Sequence, residues 1–177
     1  MRRALEIDEK NFEPDHPNVA IRLNNLAQLL SATNRLAEAE PLMRRALEID
    51  QESFGADHPN VAIELNNLAQ LLKDTNRLDE AEPLMRRALK IDEKSFGPDH
   101  PNVAIRLNNL ARLLQDTNRL AEGEPLFHRA VKILAVSLSL DHPTTKAIAD
   151  NYRILLRELG ANEEEAEAKV AAAIRGE

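Results

Sequence analysis

The chain has 177 residues, a net charge of −7, no cysteine and 43% hydrophobic residues. That charge argues against nucleic acid, which needs a basic patch; the missing cysteines exclude disulfides, thiolate metal sites and Cys nucleophiles. No apolar run approaches the roughly 18 residues that cross a bilayer, so a cytoplasmic protein is expected, with a core of Leu, Ala, Ile and Met because aromatics are only 3%.

Asp-His-Pro recurs at 15–17, 57–59, 99–101 and 141–143, a step of 42 residues each time. A fixed period of this size indicates a stacked repeat array. Residues 1–15 align with 43–57, so the chain opens on the second half of a repeat. Full periods follow at 16–57, 58–99 and 100–141, and a divergent one with a C-terminal cap at 142–177. The first two full periods differ at eight positions, mostly polar for polar.

Residues 1–12 are predicted as a helix whose partner is missing, leaving Leu5, Ile7 and Phe12 as an apolar edge. Each full period then holds two helical patterns. The first begins at Pro17, Pro59, Pro101 and Pro143, where proline's missing N–H costs nothing. Val19, Leu23, Leu26, Ala27 and Leu30 recur at helical spacing on one face. Thr33-Asn34-Arg35 and its copies break the pattern, and asparagine suits a left-handed helix stop. The second helix runs over 36–54, with Gly55 at its end. Pro41, Pro83 and Pro125 fall inside it, where proline removes a backbone bond. Leu36 and Ala39 continue the apolar stripe before it, which favours one continuous helix with a local kink. The spacing predicts helices over 1–12, 17–33, 36–54, 59–75, 78–96, 101–117, 120–138, 143–159 and 162–175.

Two antiparallel helices per unit, with Leu23, Leu26, Ala27, Leu30, Leu36, Ala39, Met43 and Ala46 as small and large apolar positions, resemble the tetratricopeptide repeat. "DHPNVAIRLNNLAQLL" (15–30) and "RLAEAEPLMRRALEID" (35–50) resemble its kinesin light chain type. The resemblance implies an all-α right-handed solenoid of stacked antiparallel helix pairs. It also implies a non-enzymatic scaffold that binds protein segments, as kinesin light chain grips extended cargo peptides in a concave groove.

In such an array the first helices line the concave wall. Opposite the leucine face stand Ile21, Asn25, Gln28 and Ala32, flanked by Asn24 and Ser31. The next repeats place Ile63, Asn66, Asn67, Gln70, Lys73 and Asp74 there, then Ile105, Asn108, Asn109, Arg112, Gln115 and Asp116. The last places Ala147, Asp150, Asn151, Ile154, Arg157 and Glu158. Asn and Gln each carry a donor and an acceptor, so a ladder of them can satisfy an extended peptide backbone while the isoleucines hold apolar side chains. The alternative is that the asparagine pairs lock neighbouring helices to each other, and each pair can split the two jobs. The candidate peptide-binding set is Asn24, Asn25, Gln28, Asn66, Asn67, Gln70, Lys73, Asn108, Asn109, Arg112, Asn151 and Arg157. The wall's charges are mixed, Lys73, Arg112 and Arg157 opposing Asp74, Asp116, Asp150 and Glu158. Arg22, Glu64 and Arg106 share one position and read as an exposed ion-pair line between repeats, worth about 0–1 kcal/mol per pair.

His16, His58, His100 and His142 sit one per repeat, roughly 10 Å apart in a stack, too far to share a metal; they read as turn residues. No phosphate loop, nucleophile elbow or His-Glu-x-x-His occurs, so no cofactor, metal or catalytic residue is assigned. Near the end, Leu134, Ala135 and Val136 replace polar residues and need cover, Arg153 replaces Ala27, and 162–175 reads as a solubilising cap. The leading function is a scaffold binding an extended peptide in its concave groove. The rivals are end-to-end self-association through the half repeat and a regulatory array of a larger protein.

Overall fold

The computed structural model describes residues 12–177. The helix expected over 1–12, with Leu5 and Ile7, falls on residues 1–11, outside that range. The described residues form eight helices and no strand. They are α1 (Pro17–Ala32), α2 (Leu36–Phe54), α3 (Pro59–Asp74), α4 (Leu78–Phe96), α5 (Pro101–Asp116), α6 (Leu120–Ser137), α7 (Pro143–Glu158) and α8 (Glu163–Arg175). These bounds lie within one residue of the expected ones. α2, α4 and α6 run unbroken through Pro41, Pro83 and Pro125.

The repeated phrases are helix punctuation. Each Asp-His-Pro histidine is the N-cap of the helix that follows, and its Nδ1 accepts from the backbone N–H two residues on. The distances are 3.1 Å to Asn18, 3.2 Å to Asn60, 3.1 Å to Asn102 and 3.2 Å to Thr144. An N-cap acceptor satisfies one of the helix's four orphan donors. Phe12, Phe54 and Phe96 stack on the first three of these rings, with centroids 4.5–4.7 Å apart. At the other end of α1, α3 and α5, the Thr hydroxyl of Thr-Asn-Arg donates to the last-turn carbonyls. The Asn then takes φ near +59° at Asn34 and Asn76 and +57° at Asn118, and the Arg forms a two-pronged pair with the Glu three residues on. Each element of the motif therefore has its own job: stop, reverse, restart.

The chain divides into two compact units, the first ending at Ile91 and the second beginning at Asp92, within α4. In the first, α2 packs on both α1 and α3. Val19, Ala20 and Leu23 meet Ala46 and Ile49, while Val61, Ala62 and Leu65 meet Ala88 and Ile91. In the second, α6 packs on α5, α7 and α8, around Leu107, Leu114, Phe127 and Tyr152, all fully buried. Gly123 stands where α2 and α4 carry buried Ala39 and Ala81 because a Cβ there would meet Leu155 Cδ1 at 3.1 Å and the Ala111 carbonyl at 3.2 Å. Leu134 is buried as expected, but Val136 remains 84% exposed, so the apolar segment is only partly covered. α8 opens on a capping box, Asn162 with Glu165, and buries Ala166, Val170 and Ala173.

Candidate functional site

The first helix of each period presents a mixed face. Ile21, Ile63 and Ile105 are 53%, 45% and 38% exposed although large and apolar. They recur because the leucines at Leu23, Leu65 and Leu107 take the buried side, two residues away on the wheel. Beside them run the amide side chains, and their exposure grades. Asn24 and Asn108 are buried; Asn25, Asn66, Asn67, Asn109 and Asn151 are half-buried; Gln28 and Arg112 are exposed, and Gln70 and Lys73 half-buried.

Part of that amide row is already engaged. In the first unit Asn24 Oδ1 accepts from Asn67 Nδ2 at 3.2 Å and from Gln28 Nε2 at 3.4 Å. In the second, Asn108 Oδ1 accepts from Asn151 Nδ2 at 2.9 Å, and Asn108 Nδ2 donates to Asn109 Oδ1 at 3.2 Å. The buried asparagine of one first helix is thus tied to the half-buried one of the next, as a lock between repeats requires. Local charge pairing is similar: Arg157 bonds Glu163 at 2.5 Å, Asp150 bonds Arg153 at 2.8 Å, and Asp74 accepts from Gln70 at 3.1 Å. Arg157 therefore reaches toward the cap rather than opposing Asp150 across the wall.

Between α1 and α3 lies a cavity of about 150 Å³, lined by Gln28, Ser31, Asn67, Gln70 and Asp74 over a floor of Met43 and Leu71. Ser31 Oγ is buried there with no hydrogen-bond partner among the described residues. Ser31 was outside the candidate set read from the sequence; the available signal was size, since Lys73, Gln115 and Arg157 occupy its place in later repeats.

The shared position of Arg22, Glu64 and Arg106 corrects an expectation. Arg22 is exposed, but Glu64 and Arg106 are buried, and they face an aspartate on the preceding second helix rather than solvent. Arg106 Nε donates to Asp92 Oδ2 at 2.8 Å, and Asp92 is only 1% exposed. Glu64 faces the charge of buried Asp50, and its Oε2 has no partner among the described residues. Burial first, then the Asp50 charge, push the Glu64 carboxyl up to about 8. Burial also raises Asp50, while His58 pulls it partly back. Ile148 and Leu134 hold the same two positions in the last repeat, both buried.

Tetratricopeptide repeat family profiles match residues 1–52, 32–94 and 65–122, and a second such profile matches 103–144. The chain belongs to the tetratricopeptide repeat family. Its helix pairs are tetratricopeptide pairs, and solved tetratricopeptide structures of kinesin light chain type share the fold. The kinesin light chain-type, nearly identical TPR-like repeats of Podosopora anserina match at a TM-score of 0.77 and 22% identity, over 99% of this chain and 82% of that one. BtubC (BKLC) of P. vanneervenii matches at 0.83 and 24%, over 99% and 70%. No curated protein matches the sequence. No helix among the described residues is long and apolar enough to cross a membrane.

Proposed function

We propose that this tetratricopeptide array is a non-enzymatic cytoplasmic scaffold that binds an extended peptide along the faces of its first helices. The tetratricopeptide fold supports a protein-interaction scaffold in general, and its members are generally not enzymes. The observation that carries the finer reading is the exposed isoleucine of α1, α3 and α5 beside half-buried amides. Scattered single apolar side chains need no explanation, but the same large one kept at Ile21, Ile63 and Ile105 beside donors and acceptors suits a peptide that alternates apolar and polar contacts. In the family's stacking these faces would line a concave groove. The buried members Asn24 and Asn108 serve as locks in this reading, and Asn25, Gln28, Asn67, Gln70, Asn109 and Asn151 form the peptide-facing row, with Asn66, Lys73, Arg112 and Arg157 at its margin.

A peptide array probed with the full chain supplies ligands, and Ile63→Ser with Ile105→Ser tests the site. Both side chains are exposed, so the melting temperature should hold within about 4 °C. Affinity should fall at least tenfold, the loss expected when two apolar contacts of this size disappear. Unchanged affinity in the folded double variant would remove the first-helix faces from the binding surface.

A further inference from the structure

The cavity between α1 and α3 has a chemical sign. The NH2 groups of Gln28 and Asn67 are turned to Asn24, and that of Gln70 to Asp74. Each NH2 thus spends one of its two donors inside the wall, and each of the three amides keeps its oxygen for a ligand. Among the described residues Asp74 is the only charged side chain lining the cavity, and Ser31 adds a hydroxyl with no partner. The floor is apolar, since Met43 and Leu71 are 3% and 2% exposed. At about 150 Å³ the space falls below the roughly 300–1,000 Å³ of small-molecule sites and suits one long side chain.

We infer that this cavity is a subsite for a lysine or arginine side chain of an extended peptide, the stem lying on Met43 and Leu71 and the cation among the oxygens of Gln28, Asn67, Gln70 and Asp74. An ammonium carries three donors and no acceptor, and a guanidinium five and none, which is the complement of an acceptor-rich lining. Long basic side chains bury their methylenes on apolar surface while the charged head stays in a polar setting. Ser31 makes the space: the equivalent positions carry Lys73, Gln115 and Arg157, whose side chains are long enough to occupy it. The inference rests on the groove reading above and adds the class of residue the groove selects at this point.

The test uses the full chain, labelled with 15N, and blocked heptapeptides acetyl-Gly-Ala-Ala-X-Ala-Ala-Gly-amide with X as Lys, Arg, norleucine or Glu. Lys and Arg peptides should move the side-chain amide signals of Gln28, Asn67 and Gln70 saturably, with norleucine at least tenfold weaker and Glu inert. Asp74→Asn should weaken the Lys peptide at least tenfold. Ser31→Lys, which copies Lys73 and should keep the backbone spectrum folded, should abolish the response. Equal binding of norleucine and Lys, persistence of the Lys response in Ser31→Lys, or no response from any heptapeptide would overturn the subsite. Array-selected peptides that lose affinity in the Ile63→Ser, Ile105→Ser variant yet ignore Ser31→Lys would leave the groove reading standing and remove only the subsite. Array peptides indifferent to both variants would remove both.

Discussion

His100 caps α5 through Nδ1, and the cap works only while that nitrogen is an acceptor. Replacing it with alanine removes the acceptor and the Phe96 stack together, and should cost about 0.5–2 kcal/mol. Asparagine keeps an acceptor at the cap and should recover most of it; urea denaturation of the two variants measures the difference. Glu64 is the opposite kind of residue, one whose ionised form the fold disfavours. Its carboxyl sits at about 8 in the folded chain, against roughly 4.3 unfolded. The folded state therefore holds a proton that the unfolded state releases, so stability is full below about pH 4.3 and is lost as pH rises through 8. The loss should approach about 3–5 kcal/mol by pH 9. Denaturant midpoints across pH 5 to 9 should fall for the native chain and stay flatter for Glu64→Gln, which cannot ionise. A Glu64→Arg variant should gain stability at pH 8, because the same geometry places Arg106 on Asp92 in the second unit.

At the scale of elements, the packing of a first helix on the preceding second helix uses one pair of positions in chemically different ways. Arg106 with Asp92 is a buried ion pair, Glu64 with Asp50 a buried acidic pair, and Ile148 with Leu134 an apolar solution. Removing one partner of a buried pair strands the other's charge, so Arg106→Ala should destabilise by about 3–5 kcal/mol. Replacing both, Arg106→Ile with Asp92→Leu, copies the last repeat and should be neutral or stabilising by about 1–4 kcal/mol. A double-mutant cycle by chemical denaturation decides it: a double variant as damaged as Arg106→Ala would mean that the pair contributes more than its desolvation costs. The helix-internal prolines belong here too. Continuity of α2 through Pro41 follows because burial of Ala39 and Met43 on either side holds the helix axis, outweighing one missing backbone bond.

For the whole molecule, a repeat protein's stability is close to a sum of local and nearest-neighbour terms. A defect in one unit should therefore open that unit and leave the other protected. Arg106→Ala should raise amide exchange in α5 and α6 while α1 and α2 exchange as in the native chain, a pattern hydrogen–deuterium exchange mass spectrometry resolves by peptide. Uniformly faster exchange across the chain would show that folding is global rather than local. The same logic separates binding from folding: the exposed isoleucines can be changed without breaking a hydrogen bond between helices, whereas Asn67 and Asn151 cannot, because each closes a bond to a neighbouring first helix.

Helix limits were legible in the sequence because their causes are local. A proline after a histidine, a Thr-Asn-Arg stop and a Gly end act within a few residues, so the bounds from 17 to 175 come out within one residue. The leucine face was legible for the same reason, since a 3.6-residue period places Leu23, Leu26 and Leu30 together without knowledge of any other helix. What lay across from each face was decided by tertiary structure. Arg106 reads as a surface charge until α4 brings Asp92 to 2.8 Å. Asn24 reads as a polar wall residue with no named partner until Asn67, 43 residues away, donates to it. Ser31 reads as a polar helix residue until the space between two helices turns its small size into a cavity. Periodicity names the face a residue occupies, but burial, partner and free volume belong to the neighbouring helix, and only packing supplies them.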